Sequence, residues 1–303
     1  MNQTLIDEMT RIVGKENIRC EEPMAKHTTF QIGGPAQLMV LPSTVEEIQR
    51  VFCLCKEQNV PFFVMGNGSN LLVSDQGMDG VVMVLARNFS AYEIQGTKVT
   101  AQAGAMLATI GNAVCERELT GFEFAAGIPG TIGGAVMMNA GAYGGEMKDI
   151  IQSVQVLDGA GNILELSCNE MDFGYRHSVV EENGYLVLGA TMCLQDGEKS
   201  AIRAKMKELS EARRSKQPLE YPSAGSTFKR PEGYFAGKLI MDAGLRGYQV
   251  GGAQVSEKHC GFVINRGGAT AQDVMQLILD VQDKVYDAYQ VTLEPEVKLV
   301  GRQ

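Results

Sequence analysis

A dense run of glycine in the middle of the chain restricts the fold more than any other feature of the sequence. Residues 125–147, AAGIPGTIGGAVMMNAGAYGGEM, contain seven glycines, whereas the chain average of 35 in 303 predicts about three. Glycine at this density costs conformational entropy and is typical of backbone that approaches a ligand or other backbone closely. The isoleucine, valine and methionine side chains between the glycines are too apolar for a flexible surface loop. The segment therefore favours ligand binding within a folded domain.

A second glycine segment, GNGSN at residues 66–70, lies between two apolar runs, FFVM and LLV, that predict strands. A dinucleotide-binding GxGxxG needs glycine at position 71 and a helix after it, but Leu71 opens the second strand. No P-loop motif occurs either. Gly66 and Gly68 permit positive φ, so backbone N–H groups of this turn could converge on an anion, with a plain tight turn as the alternative. Two such segments suit an extended ligand with a pyrophosphate and a planar ring.

Composition and charge exclude several classes of protein. With 45% hydrophobic and 21% charged residues, a chain of 303 residues predicts two or three folded domains with a sizeable core. The net charge of −9 argues against nucleic acid or an anionic membrane surface as partner, since both attract basic patches. No basic segment precedes an apolar one at the start, and no apolar run could span a bilayer, so we expect a cytoplasmic protein.

Cysteine and histidine are placed without any metal-binding pattern. The seven cysteines are scattered and never form a CxxC pair, which is typical of reduced thiols. Only three histidines occur, with no HxxxH and no His/Cys cluster. We therefore expect no metal site built by the protein.

Hydrophobic periodicity outlines the elements around the glycine segments. A helix is predicted over 43–59, with Ser43 and Glu46 at capping-box spacing, and another over 272–289, with Thr270 and Asp273 as its cap. The charged helix expected over 200–216 ends before Pro218, which marks the best domain boundary. The remaining predictions are a helix over 237–243 and strands at 62–65, 71–73, 81–86, 97–103, 151–157, 163–167, 185–194 and 261–265.

Several side chains could carry chemistry, but the residues alone leave each one open. Arg176 could bind a carboxylate with both guanidinium nitrogens or form a surface ion pair. Ser226 has no GxSxG elbow around it and could donate a proton or only satisfy backbone groups. Glu294 and Glu296 would face the same side of an extended segment, and the sequence does not choose between them. The basic residues near these positions could neutralise an anionic ligand or form a solvated surface: Lys216, Lys229 and Arg230.

Six segments, taken together, resemble one family. They occur in the family's order, span nearly the whole chain and are far more specific jointly than singly: HTTFQIGGPA at 27–36, MGNGSNLLV at 65–73, AGIPGTIGGAVMMNAGAYGGE at 126–146, YRHS at 175–178, AGSTFKRP at 224–231 and LEPEV at 293–297. They are similar to segments of the UDP-N-acetylenolpyruvoylglucosamine reductases, flavoenzymes of bacterial cell-wall precursor synthesis. The chain resembles the shorter branch, which lacks an extra lid segment. Asn67 stands where many members have Gly, and Arg230 where some have Asn.

The resemblance implies an α+β fold. Two subdomains would form the FAD-binding fold of the vanillyl-alcohol oxidase (PCMH) type, followed by a C-terminal α+β substrate domain. The implied divisions are 1–80 for FAD subdomain 1, 81–200 for FAD subdomain 2, 201–290 for the substrate-binding domain and 291–303 for a C-terminal segment with the catalytic glutamate.

The resemblance also implies a reaction. NADPH would reduce a non-covalently bound FAD, which would then reduce the enolpyruvyl group of UDP-N-acetylglucosamine enolpyruvate, and we expect the enzyme to be a monomer. Hydride addition leaves negative charge beside a carboxylate, so the site needs a cation, a proton donor and an orienting group. The catalytic residues carried over by motif are Arg176, Ser226 and Glu296.

Cofactor-binding residues are carried over in the same way. The resemblance assigns cofactor binding to Gly66, Asn67, Gly68, Ser69, Asn70, Gly127, Ile128, Pro129, Gly130, Thr131, Gly133, Gly134, Asn139, Gly141, Ala142 and Tyr143. For the substrate, the basic residues nearest the AGSTFKRP loop could neutralise the UDP pyrophosphate, with a solvated basic surface as the alternative: Lys216, Lys229 and Arg230.

Two other functions remain open at the level of sequence. One is a flavin oxidase of the same fold that acts on an alcohol or sugar, for which His27 or Cys115 could tether the flavin. The other is a nucleotide-sugar binding protein without catalytic activity.

Overall fold

The computed structural model describes residues 2–302, which divide into two compact units. Unit 1 contains the N-terminal stretch through Cys20, Leu38–Asn67 and Gly80–Ala212. Unit 2 contains Glu21–Gln37, Gly68–Asp79 and the chain from Arg213 onward. Each unit is therefore assembled from three separate stretches. The four continuous divisions drawn from the sequence stay predictions.

The described residues form eight α-helices, four of which were predicted from the sequence to within two residues at each end. Helix α8 turns Val274, Leu277 and Val281 toward a buried core and begins with the predicted capping box of Thr270 and Asp273, which is confirmed. The helices are α1 (Gln3–Val13), α2 (Val45–Glu57), α3 (Leu107–Glu116), α4 (Ile132–Met137), α5 (Val179–Glu182), α6 (Lys199–Lys216), α7 (Ala236–Asp242) and α8 (Ala271–Tyr289).

Nineteen strands lie in the same residues, most of them short. They are β1 (Ile18–Pro23), β2 (Pro35–Val40), β3 (Phe62–Met65), β4 (Leu71–Val73), β5 (Met78–Val84), β6 (Tyr92–Gln95), β7 (Lys98–Gln102), β8 (Leu119–Thr120), β9 (Gly141–Ala142), β10 (Gly145–Glu146), β11 (Ile151–Leu157), β12 (Ile163–Ser167), β13 (Leu186–Cys193), β14 (Gln195–Asp196), β15 (Ser223–Ser226), β16 (Gln249–Val250), β17 (Ala253–Val255), β18 (Phe262–Asn265) and β19 (Lys298–Val300).

Unit 1 is built around an antiparallel five-stranded sheet and one hydrophobic cluster. The sheet has the strand order β12-β11-β13-β7-β6, and α4 packs against β13. Ile132 and Val136 of α4 are completely buried in the cluster. The apolar residues of the dense glycine segment therefore anchor it in the core, as their hydrophobicity predicted. In a four-stranded sheet of order β1-β2-β5-β3, the strands β3 and β5 run parallel, with Phe62 opposite Val81.

Unit 2 is built around an antiparallel sheet of order β15-β18-β17-β16. Helix α8 packs against α7, β16 and β17, and its buried stripe joins Phe228 and Val263 in one cluster. A separate parallel pair joins β4 to β19, with Leu71 opposite Lys298 and Val73 opposite Val300. This pair places the end of GNGSN next to the C-terminal segment.

Some local predictions need correction. The cap of α2 is one residue later than predicted, because Thr44 has the extended backbone of an N-cap and accepts from the Glu47 N–H at 3.1 Å. Ser43 instead donates its backbone N–H to the Glu47 carboxylate at 2.6 Å. Helices α1, α3, α4 and α5 were not predicted. Helix α3 lacks a side-chain cap and has Gly111 in its interior, so its sequence carries weak signals.

Candidate active site

The first residues of GNGSN, Gly66 and Asn67, meet the dense glycine segment within unit 1, whereas Gly68 to Asn70 belong to unit 2. The Asn67 side-chain amide donates to the Pro129 carbonyl at 2.9 Å. A Cβ on Gly66 would lie 2.2 Å from Thr131 Oγ1, so only glycine permits this approach. Glycine is therefore needed at position 66 for space and not for positive φ. In this turn the residue with positive φ is Gly68, at +62°.

The Thr131 hydroxyl is the group in unit 1 that best tests whether a cofactor fits. Its side chain is 1% exposed, and within residues 2–302 its oxygen has no hydrogen-bond partner. An unpaired buried hydroxyl costs about 1–3 kcal/mol. A polar group of a bound ligand would remove that cost, and the phosphates and ring edges of FAD offer such groups. The residues present therefore fit FAD.

Gly133 and Gly134, which follow Thr131 closely, differ in how much space their surroundings leave for a side chain. A Cβ on Gly133 would lie 2.8 Å from the Ala103 Cβ, and the Gly133 N–H donates to the Ala103 carbonyl at 2.8 Å. Gly133 is thus required by packing. Gly134 is exposed, and a Cβ there would meet Thr131 Oγ1 at an ordinary 3.7 Å. Packing does not explain Gly134, which is consistent with close approach of a ligand.

The segment after α4 is held by Asn139. This side chain is 1% exposed, donates to the Glu146 carboxylate at 2.6 Å and to the Gly174 carbonyl at 3.0 Å, and accepts from the Lys148 N–H at 2.9 Å. With these three protein partners, Asn139 supports the segment from within. Tyr143 lies at the tip between β9 and β10 with φ +52° and a 49% exposed side chain.

Arg176 lies in a tight turn of unit 1. Gly174 and His177 exchange backbone hydrogen bonds of 3.1 and 3.3 Å, which leaves Tyr175 and Arg176 as the two turn residues. Arg176 has φ +55°, a conformation that is uncommon for a residue with a side chain and is often found at functional sites. Its guanidinium lies 5.2 Å from the centroid of the Tyr175 ring. The bond from Asn139 to Gly174 fixes the base of this turn.

Ser226 lies at an irregular end of β15 in unit 2. Ser223 is opposite Ile264 and Ser226 is opposite Phe262, so β15 carries one extra residue between these pairs. Gly225, with φ +79°, absorbs the distortion. A β-bulge of this kind redirects the next side chain. The Ser226 residue is half-buried.

Glu296 lies beside Ser226 in unit 2 through a short backbone ladder. The Glu296 N–H donates to the carbonyl of Thr227, the residue after Ser226, at 2.8 Å. On its other side, the Asn70 side-chain amide donates to the Glu296 carbonyl at 3.1 Å. Ser226 and Glu296 are therefore brought together although they are 70 positions apart in the sequence.

Glu294 differs from Glu296 in its surroundings. Its carboxylate forms an ion pair with the Lys229 ammonium, and its carbonyl accepts from the Lys229 N–H at 2.8 Å. Glu294 is exposed, whereas Glu296 is half-buried. The structure thus gives one of the two glutamates a surface ion-pair role, a distinction that the sequence did not provide.

The basic residues predicted to bind substrate all lie in unit 2. Arg230 stacks its guanidinium 4.0 Å from the centroid of the exposed Phe235 ring and donates to the Tyr234 carbonyl at 3.3 Å. Lys216 is exposed at the end of α6. Two of the three predicted cations, Arg230 and Lys229, therefore have protein partners. Sequence reasoning missed Phe235, and no pattern around it would have indicated this stacking.

The residues considered for flavin tethering have other roles. Cys115 is 3% exposed within α3, and His27 Nε2 lies 2.9 Å from the Glu22 carboxylate. Among residues 2–302, no group of three His, Cys, Asp or Glu side chains could hold a metal ion. Nor does any helix in that range have the length and apolarity to cross a membrane.

Comparisons with known proteins define the class first. Residues 36–167 match the model of the FAD binding domain family. The solved structure of 4-ethylphenol oxidase from Gulosibacter chungangensis shares the fold over 64% of this chain and 42% of that chain, with a TM-score of 0.51 and 16% identity. With the paired glycine segments, these findings define an FAD-dependent oxidoreductase with a PCMH-type α+β fold.

The family follows from closer relatives. Residues 217–300 match the C-terminal domain of UDP-N-acetylenolpyruvoylglucosamine reductase. The reductase of that name from Clostridioides difficile (strain 630) is 53% identical over 300 residues, 99% of either chain. The Thermus caldophilus reductase structure is 36% identical, with a TM-score of 0.81 over 93% of this chain and 99% of that one. The chain belongs to the UDP-N-acetylenolpyruvoylglucosamine reductase family.

Membership confirms the predicted family, fold class and cofactors. The protein is an FAD-dependent oxidoreductase that uses NADPH and acts in peptidoglycan precursor synthesis. The roles of individual residues rest on the geometry of each unit.

Proposed function

We propose that this protein reduces UDP-N-acetylglucosamine enolpyruvate to UDP-N-acetylmuramate, with Arg176, Ser226 and Glu296 as its catalytic residues. The observation that carries the proposal is the ladder that ties Glu296 to Thr227, directly after Ser226. It joins a hydroxyl and a carboxylate of the kinds that the second half of the reaction needs. FAD held by the two glycine segments would supply the redox chemistry, a hydride transfer from NADPH to the substrate.

The two glycine segments would hold FAD. Gly66 to Asn70 would contact the pyrophosphate, and the segment 127–134 would line the flavin and its linker, with Thr131 donating its unpaired hydroxyl. Residues 139–143 would complete the lining, through backbone and the exposed Tyr143 ring. The remaining cofactor-binding residues are those named from the sequence.

Arg176 would bind the substrate carboxylate. Hydride addition to the enolpyruvyl double bond places negative charge on the carbon beside this carboxylate, and a guanidinium stabilises it through two parallel hydrogen bonds. Lysine cannot reproduce this planar geometry. The tight turn with its base fixed by Asn139 limits the motion of Arg176.

Ser226 would donate the proton that completes the reduction. A hydroxyl is a weak acid in water, but an enolate carbon is a strong base, so a positioned serine can protonate it. Glu296, held next to the Ser226 strand, would orient the proton donor and the substrate. Lys216, Lys229 and Arg230 would neutralise the pyrophosphate of the substrate. Lys229 would then exchange its ion pair with Glu294 for one with the ligand.

The proposal extends to the state of the protein in the cell. We propose a cytoplasmic monomer whose partners are NADPH and the UDP-sugar, with neither nucleic acid nor membrane as partner. The net charge of −9 supports the absence of such anionic partners. Light scattering of the purified protein tests the oligomeric state.

Anaerobic spectroscopy tests the function. The purified protein should absorb as a flavoprotein, release free FAD on denaturation, lose its colour with NADPH and regain it with the enolpyruvyl UDP-sugar. Reduction by an alcohol or sugar instead of NADPH would identify an oxidase. Flavin that stays attached to the denatured chain would contradict non-covalent binding, and a colourless protein that FAD cannot reconstitute would favour a binding protein.

A further inference from the structure

We infer that Asn70 is a positioning residue for Glu296. The resemblance assigned Asn70 to the cofactor, but its side-chain amide donates to the Glu296 carbonyl at 3.1 Å within unit 2. The inference rests on the proposed role of Glu296 in the second half of the reaction. It gives the end of the GNGSN segment a function in that half-reaction beyond holding FAD.

The strand register explains why these two residues meet. Strands β4 and β19 run parallel, with Leu71 opposite Lys298, so the residues just before each strand are neighbours. The Lys298 N–H donates to the Asn70 carbonyl at 3.0 Å. Asn70 therefore contacts the C-terminal segment at two points, through its side chain at Glu296 and through its main chain at Lys298.

The Glu296 main chain is fixed from two directions. Its N–H donates to Thr227 on the Ser226 side, and its carbonyl accepts from Asn70 on the GNGSN side. Both bonds together define the orientation of this residue, from which the carboxylate projects. A displacement of about 1 Å in a reacting group can cost about 10²-fold in rate. Loss of the Asn70 bond should therefore be visible in the chemistry that Glu296 serves.

This role is compatible with a contact to FAD. An asparagine side chain has two N–H donors and one carbonyl acceptor, and the bond to Glu296 accounts for one donor. The question is which contact governs the phenotype of a variant. A role limited to FAD predicts weaker flavin binding with parental reoxidation once FAD is saturating, whereas positioning of Glu296 predicts slow reoxidation that added FAD does not restore.

The test compares variants at Asn70 with a matched control on α8. Asn70→Ala removes the amide, and Asn70→Asp keeps its size but replaces the donor with an oxygen that repels the Glu296 carbonyl. Gln282 provides the control, because its amide donates to the carbonyl of Leu293 in the same segment at 2.8 Å without touching Glu296. Flavin content, melting temperature and both half-reactions are measured for each holoenzyme by stopped flow.

With FAD at saturation, we expect both Asn70 variants to lose more in reoxidation by substrate than in reduction by NADPH. Reoxidation by the enolpyruvyl UDP-sugar should slow about 10- to 100-fold, and its pH profile should change, because the carboxylate has moved. Gln282→Ala should lower the melting temperature but leave reoxidation within about threefold. An equal loss of reoxidation in Gln282→Ala would mean that any loosening of the segment suffices and would overturn the inference.

A double-mutant cycle with Glu296→Gln separates this inference from the proposed function. If Asn70 acts through Glu296, Asn70→Ala should add little to the defect of Glu296→Gln. Additive defects, or parental reoxidation of both Asn70 variants at saturating FAD, would overturn the positioning role while leaving Glu296 catalytic. A Glu296→Gln enzyme that is reoxidised at the parental rate would instead refute the role of Glu296, and the inference with it.

Discussion

Units 1 and 2 hold their functional residues in different ways. In unit 1, the glycine segments are fixed by close backbone approach, as between Gly66 and Thr131, and by positive φ at Arg176. In unit 2, Ser226 and Glu296 are fixed by a bulged strand and a ladder of hydrogen bonds. Added atoms should therefore disturb unit 1 most, and lost hydrogen-bonding groups should disturb unit 2 most.

This difference separates cofactor binding from proton transfer. A substitution that adds a Cβ in unit 1 should change how much FAD the protein holds. A substitution that deletes a polar atom in unit 2 should leave FAD in place and slow the reduction of substrate. Arg176 tests the limit of the comparison, because it lies in unit 1 but is proposed to act on the substrate.

The largest effect is expected for Ser226→Ala in unit 2. The variant removes the proposed proton donor and little else, so FAD should stay bound and NADPH should reduce it at near the parental rate. Reoxidation by the enolpyruvyl substrate should fall by roughly 10² to 10⁴, the usual range for loss of a positioned acid. Ser226→Cys, with a more acidic side chain, should recover part of the rate. Parental reoxidation in Ser226→Ala would assign the serine to the loop alone.

Arg176→Lys is expected to break the simple division between units. Lysine keeps the charge and meets the same positive φ, so the change isolates the loss of the two-nitrogen geometry. Reoxidation by substrate should slow about 10- to 100-fold, as for the loss of a charged hydrogen bond, while NADPH oxidation with an artificial acceptor changes little. Equal slowing of both activities would show that Arg176 serves the flavin or the fold.

Gly66→Ala should lower FAD affinity by about tenfold. The new methyl group would lie within 2.2 Å of Thr131 Oγ1, and such overpacking commonly costs about 1–3 kcal/mol. Flavin content after dialysis and FAD titration of the apoprotein measure the change. Gly96→Ala is the control, because Gly96 also lies in unit 1, has φ +57° and leaves open space for a Cβ. Similar flavin loss in both variants would indicate general destabilisation.

Lys216→Ala should have a smaller effect, confined to the nucleotide. Binding of the UDP-sugar should weaken about three- to tenfold, as for one exposed charge, whereas the sugar fragment lacking UDP should bind as before. Lys207→Ala on the same helix is the control, since Lys207 is an exposed residue 3.9 Å from Glu211. Calorimetric titrations with both ligands compare them. Equal weakening for both ligands would remove Lys216 from the pyrophosphate site.

The smallest effect concerns the acid stability of unit 2. Burial lowers the pKa of His259 below its ordinary 6.5, and its Nδ1 accepts from the Gly261 N–H, which requires a neutral ring. Below about pH 6.5 the His259 ring is protonated more readily in the unfolded chain than in the folded one, so the free energy of unfolding decreases as the pH is lowered. Melting temperatures between pH 7.5 and 5.5 should fall less for His259→Gln than for the parent. Identical falls would show that other groups dominate.

The local features of this protein follow directly from its amino-acid sequence. The stripe and capping box of α8 follow from residues a few positions apart, and so do the two glycine segments. Helix α3 was missed because a central glycine and an uncapped start weaken its signal. The motifs also carried enough information to identify the family, because their order and spacing are specific.

Which distant residues act together depends instead on the packing of the folded chain. Asn70 and Glu296 are 226 positions apart and meet because β4 pairs with β19. Each of these strands has only three residues, and so short a sequence specifies neither the partner strand nor the register. The close approach of Gly66 to Thr131 likewise joins residues that are distant in the sequence. So does the ion pair between Lys229 and Glu294, which distinguishes Glu294 from Glu296. Local sequence fixes backbone preference within a few residues, whereas these contacts depend on how the whole chain packs.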